Sequence, residues 1–106
     1  MKSIISLLSF IAFTCVAYGQ DSVPTDIQAL LDKNICSVCH KLDEKLIGPS
    51  YKELASKGYS EKEIAELIVT PIPANWPDYP PMAPMPHLDK GEVKKIAKWI
   101  YSLSSE

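Results

Sequence analysis

The chain has 106 residues, 46% of them apolar, and a formal net charge of −2 at pH 7. That length suits one domain with one small core, and the charge balance leaves no basic patch of the kind nucleic-acid binding needs. With only three cysteines and two histidines, few metal or redox sites can be built, so the spacing of these residues carries most of the functional information.

Residues 1–19 read as a secretory signal. Lys2 supplies a short positive start, Ile4 to Val16 is apolar, and Ala17 and Gly19 put small residues at the minus-three and minus-one cleavage positions. Cleavage before Gln20 leaves one domain over 20–106 with a net charge of −3, exported to the periplasm. The alternative is an uncut signal acting as a membrane anchor, but the apolar run is short for a span of about 20 residues. Cys15 belongs to this segment, and bulky Phe13 before it does not suit a lipid-attachment site. A domain of the remaining size is close to where a protein core alone is marginal.

Thr25 is a candidate cap for a helix from about Asp26, with Ile27, Leu30, Leu31 and Ile35 forming an apolar stripe at helical spacing. That helix delivers Cys36-Ser37-Val38-Cys39-His40, and Cys-x-x-Cys-His is the attachment signature of c-type haem. Two thiols three residues apart can form thioethers with the porphyrin, and the neutral imidazole that follows suits haem iron as the proximal ligand. One covalent haem c per chain would also supply apolar core. A zinc site would need two more ligands at a second short spacing, and only Cys15 and His87 remain. A thioredoxin-like pair would need a βαβ context, and no convincing strand is present.

Pro49 fits a helix start, because its missing N–H would lack a partner there. Tyr51 to Ala55 then reads as a short helix stopped by Gly58. Ser60 and Glu63 form a capping box for a third helix through Ile64, Leu67 and Ile68, read as core, which ends before Pro71. From Pro71 to Pro86, seven of sixteen residues are proline, so no helix is expected. Trp76, Tyr79, Met82 and Met85 lie in that stretch, which reads as a stiff distal wall rather than a flexible linker. Asp89 and Glu92 cap a last helix from about Lys90 to Leu103. Its apolar side is Val93, Ile96, Ala97 and Ile100 with Trp99 and Leu103, while Lys94, Lys95 and Lys98 form a solvated face or a docking surface for an acidic partner. The fold class expected is all-α.

The ligand opposite His40 decides between an electron carrier and an open binding or catalytic site. Met82 and Met85, between rigid prolines, are the thioether candidates, and His87 is the third. The Cys36 to His40 motif, Ile47-Gly48-Pro49-Ser50-Tyr51, the Trp76 to Pro86 loop and Ile96-Ala97-Lys98-Trp99-Ile100 follow one another in an order that resembles the small bacterial monohaem class I cytochromes c, the short type with a proline-rich methionine loop. The resemblance covers about Thr25 to Leu103. It implies about four short helices wrapped around one haem, with Cys36 and Cys39 as attachment points and His40 as axial ligand. It favours Met82, seven residues before Asp89, as the second axial ligand; Met85, four residues before it, is the alternative. It further implies that the Pro49 carbonyl orients His40, that Trp76 lies near a haem propionate, and that Tyr51 and Trp99 belong to the haem pocket.

The expected function is transfer of one electron between redox partner proteins by a monomeric carrier, not an enzyme. No cluster of catalytic acid, base or nucleophile is apparent beyond the haem. An enzyme or sensor with an open distal position is the competing class, and an accessory subunit of a larger oxidase or reductase would share the same chemistry.

Overall fold

Caps, glycine and proline divide the described residues into four short helices. The structure is a computed structural model that describes Ser9, Ile11 and residues 22–105. But for those two isolated positions, the export signal expected over 1–19 lies outside the described residues, as does its cleavage point at Gln20. The helices are α1 (Thr25–Lys33), α2 (Tyr51–Ala55), α3 (Glu61–Val69) and α4 (Lys90–Ser102), with 3₁₀ turns at Cys36–Val38, Pro73–Asn75 and Leu103–Ser105. The described residues contain no strand, as the all-α reading expected.

Local chemistry accounts for most of the boundaries. The Ser50 hydroxyl caps α2 by accepting from Glu53 N at 3.1 Å. Ser60 and Glu63 form the full capping box of α3, each side chain accepting from the other's backbone N–H. Asp89 caps α4 by accepting from Glu92 N at 3.0 Å, but the Glu92 carboxylate turns away to Lys33, 2.7 Å from its Nζ, and so ties α4 to α1. Gly58, at φ 79, turns the chain after α2 in a conformation that suits glycine.

Two expectations about α1 are corrected. Thr25 is the first residue of α1 rather than its cap: Pro24 holds the cap position, without a side-chain hydrogen bond, and its carbonyl accepts from Gln28 N at 2.8 Å. Ile35 does not join the apolar stripe, because α1 ends at Lys33 and Ile35 sits at φ 64 with 62% of its surface exposed. The proline-rich stretch holds one short 3₁₀ turn, with Pro73 as its first residue, where the missing N–H costs nothing.

α4 is the hub, packing on α1, α2 and α3. Its Val93, Ile96, Ala97, Trp99 and Ile100 are buried, and Lys94, Lys95 and Lys98 are exposed. Leu31 of α1 and Ile96 of α4 are the largest fully buried side chains. Ile64 of α3 is buried, whereas Leu67 and Ile68, read as core, are only half-buried because they line a cleft. The helices thus enclose an incomplete core, open on the side where the cysteine turn meets the proline segment.

Candidate functional site

The cysteine turn is anchored at both ends. Ile35 reverses the chain after α1, and the 3₁₀ turn Cys36–Val38 follows, with His40 N donating to Cys36 O at 3.0 Å. Ser37 Oγ donates to Asp32 of α1 at 2.6 Å, and Gln28 Nε2 reaches the same carboxylate oxygen at 2.8 Å. Beyond His40, the chain loops back on itself: Gly48 N donates to Cys39 O at 2.8 Å, and Tyr51 N to Lys41 O at 2.9 Å.

That return brings the buried Pro49 carbonyl to 2.7 Å from His40 Nδ1. A carbonyl oxygen can only accept, so His40 donates through Nδ1, and in the neutral imidazole this leaves the lone pair on Nε2, the nitrogen able to ligate a metal. Gly48 makes the return possible. A Cβ there would lie 2.5 Å from His40 Cε1 and 2.9 Å from Nδ1, closer than carbon atoms pack, so the backbone passes flat against the imidazole. The ring also approaches Tyr51, with centroids 5.5 Å apart, and Tyr51 meets Trp99 edge-on at 5.0 Å.

A cleft of about 500 Å³ collects the candidate residues. Cys36, Cys39 and His40 line it from the first half of the chain, and Trp76, Met82 and Met85 from the proline segment. Pro49 and the exposed His87 also reach it. Met82 additionally lines a smaller inner space with Cys36, His40, Tyr51 and Ile100. Trp99 is buried in the core and meets the site through Tyr51. An open groove against α3 and α4, about 680 Å³, contains no thiol, imidazole or thioether and so cannot do the same chemistry.

The electrostatics separate the competing chemistries. Cys36 and Cys39 are free and half-buried. Burial pushes the Cys36 thiol up, the reverse of the low-pKa thiolate that a disulfide oxidoreductase needs. Among the described residues, no three Cys, His, Asp or Glu side chains converge as a metal-binding group, so the thiols and His40 share a cleft without meeting at a point as zinc requires. Thiols spread along a cleft wall, with an imidazole beside them, suit a flat group attached at its edge. Burial also holds the Tyr51 phenol far above its usual range, and its hydroxyl has no hydrogen-bond partner among the described residues.

Comparison with known proteins agrees with this geometry. A family profile described as cytochrome c matches residues 25–104. The cytochrome c-551 of Azotobacter vinelandii is 39% identical over 69 residues, 61% of this chain and 82% of that protein. The cytochrome c-551 of Stutzerimonas stutzeri is 31% identical over 97% of this chain and 99% of its own. The crystal structure of wild-type Nitrosomonas europaea cytochrome c552 superimposes with a TM-score of 0.64 at 29% identity, covering 72% of this chain and 98% of that one. This chain belongs to the cytochrome c family.

It is a small monohaem class I cytochrome c, an electron carrier and not an enzyme, and the family's cofactor is one covalently attached haem c per chain. The residues present fit that group: free thiols on the cleft wall, an imidazole whose Nε2 is left available, and a glycine backbone that gives the ring room. In the sequence Gly48 stands only as part of a motif, with no role of its own. Its signal was its place beside Pro49, but the contact with His40 needs the folded loop.

Proposed function

We propose that this cytochrome c carries single electrons on a haem c attached through Cys36 and Cys39, with His40 and Met82 as axial ligands, and that it works in the periplasm after export by residues 1–19. Bound haem supplies the one-electron iron chemistry. The observation that carries the reading is the Pro49 carbonyl at 2.7 Å from His40 Nδ1, across a cleft that Met82 also lines. It holds the imidazole in one tautomer and one orientation, so little rearrangement accompanies electron transfer.

A methionine thioether favours ferrous iron and raises the potential. Met82 is preferred to Met85 because it alone of the two lines the inner space beside His40 and Cys36. The cleft wall is mostly apolar, which keeps water from the reacting centre, and Tyr51 stays neutral through burial. Exposed Ile35, Ile47 and Ile72 lie at the cleft and suit brief apolar contact with redox partner proteins. Among the described residues no helix is long and apolar enough to cross a membrane. The export signal and the domain start at Gln20 rest on the sequence pattern alone.

The test is the visible spectrum of haem-loaded protein, oxidised, then reduced, then exposed to carbon monoxide. A far-red thioether-to-iron band and no response to carbon monoxide are expected. Met82→Ala should abolish that band and lower the potential, while Met85→Ala should retain it. A rapid carbon monoxide shift in the unmodified protein would instead mean an open distal position, and loss of the band in Met85→Ala alone would move the ligand to Met85.

A further inference from the structure

The proline segment is poorly held by its backbone. Its seven prolines carry no N–H, and among the described residues the backbone bonds at Asn75, Trp76 and Tyr79 all close within the segment or its 3₁₀ turn. The backbone bond to another element is Met85 N to Val69 O at 2.9 Å, on the far side of Met82 from Trp76. Between Trp76 and Met82 the hold comes from side chains. Tyr79 Oη donates to Glu53 Oε2 of α2 at 2.9 Å, and both residues are half-buried. Trp76 packs edge-on against Tyr79 at 5.7 Å, with Lys45 Nζ 4.6 Å from the Tyr79 ring and Lys57 Nζ 4.8 Å from the Trp76 ring.

Two features connect this contact to the iron site. Pro80 and Pro81 are the residues between Tyr79 and Met82, and their fixed φ angles make a stiff spacer, so a displacement of Tyr79 is passed on to Met82. Glu53 lies in α2, and its N–H is bonded to Ser50, the neighbour of the Pro49 whose carbonyl holds His40. Tyr79 to Glu53 is therefore a tether from the methionine segment to α2, whose cap Ser50 directly follows the Pro49 that positions the histidine.

We propose that Tyr79, through its hydrogen bond to Glu53, is a positioning residue that governs how readily Met82 leaves the haem iron. The proposal rests on Met82 being the ligand. Opening the segment far enough to release the thioether breaks the Tyr79 to Glu53 bond, so this bond weights the equilibrium toward the closed state.

Imidazole is the probe, because it binds ferric iron only when the thioether has left. It would be titrated into the oxidised, haem-loaded protein while loss of the far-red band is followed. Tyr79→Phe keeps the ring and both cation contacts but removes the hydroxyl; apparent imidazole affinity should rise about three- to tenfold. Glu53→Ala should match it, and Glu53→Gln, which keeps an acceptor oxygen, should lie near the unmodified protein. Lys33→Met removes the α1 to α4 ion pair instead and should leave the affinity unchanged.

An unchanged affinity in both Tyr79→Phe and Glu53→Ala overturns the positioning role. So does an equal rise in Lys33→Met, which would report general loosening. Retention of the far-red band in Met82→Ala overturns the ligand assignment and the proposal with it, whereas loss of that band beside an unchanged imidazole series overturns the positioning role alone.

Discussion

The two segments that carry the proposed iron ligands are held by different kinds of interaction. Around His40, from Cys36 to Lys52, backbone N–H groups bond to carbonyls along the loop, at 3.0 Å for His40 to Cys36, 2.8 Å for Gly48 to Cys39 and 3.0 Å for Lys52 to Leu42. Around Met82 most of that bonding is impossible, because proline has no N–H, and a tyrosine hydroxyl with two lysine-to-ring contacts takes its place. Backbone bonding fixes the histidine side through residues close in the chain. Stiff φ angles fix the shape of the methionine segment, but its position depends on a few separable side-chain contacts. The histidine side is therefore built to stay and the methionine side can be tuned or released.

The largest effect should come from beneath both segments. Ile96 is 2% exposed and lines the inner space beside His40 and Met82. Ile96→Ala should cost about 2–5 kcal/mol, read by denaturant unfolding. The helical signal and the haem spectrum should be lost together. Earlier loss of the haem spectrum, with the helices intact, would show that the cleft does not depend on α4.

Gly48→Ala strikes the histidine side alone. The added carbon meets His40 Cε1 at 2.5 Å, so either the ring or the loop must move, at about 1–3 kcal/mol. Lower haem-loaded yield and a changed spectrum are expected. A comparably small change on the other side, Ala83→Ser at an exposed position, should stay within about 0.5 kcal/mol. Equal effects from the two would remove the distinction between the segments.

Ile35→Gly should stabilise. A β-branched residue at φ 64 is strained, and glycine relieves that strain at some cost in chain entropy, for a net gain of about 0.5–1 kcal/mol. Thermal unfolding should shift up by a few degrees. A downward shift would mean that the exposed Ile35 side chain covers the cleft and contributes more than its backbone strain costs.

The sequence made some of this legible for reasons of range. The Cys36 to His40 motif is written in adjacent residues because the chemistry requires that spacing, and the Ser60 to Glu63 capping box closes within one turn. The all-α fold and the capped last helix followed from the same local rules. Periodicity failed at Ile35 because an apolar residue in register says nothing about where the last helical hydrogen bond falls. It failed at Leu67 and Ile68 because a stripe facing a cofactor cleft looks the same as one facing protein core. Gly48 against His40 and Tyr79 against Glu53 were invisible: one depends on a loop's path, and the other joins residues 26 positions apart.

The smallest effects are those of pH, and they should differ in sign between the two segments. Asp32 accepts from Ser37 and then Gln28, which holds its carboxyl below the usual 3.8. A depressed carboxylate pKa contributes stability that is present above about 3.8 and lost as pH falls through the folded value, so acid loosens the cysteine turn. Tyr79 is shifted the other way: its hydrogen bond to Glu53, then burial, hold the phenol above the usual 10.0. That contribution is present below pH 10.0 and lost as pH rises through the folded value, so alkali loosens the methionine segment. The far-red thioether band of the oxidised protein should accordingly fade on the alkaline side while far-UV helicity persists. Because Tyr79→Phe has no phenol to ionise, its share of that alkaline loss should be missing, and Asp32→Asn should blunt only the acid side. If the band instead fades in acid with Asp32 intact and resists alkali, the histidine side is the weaker of the two and the contrast in how the segments are held is reversed.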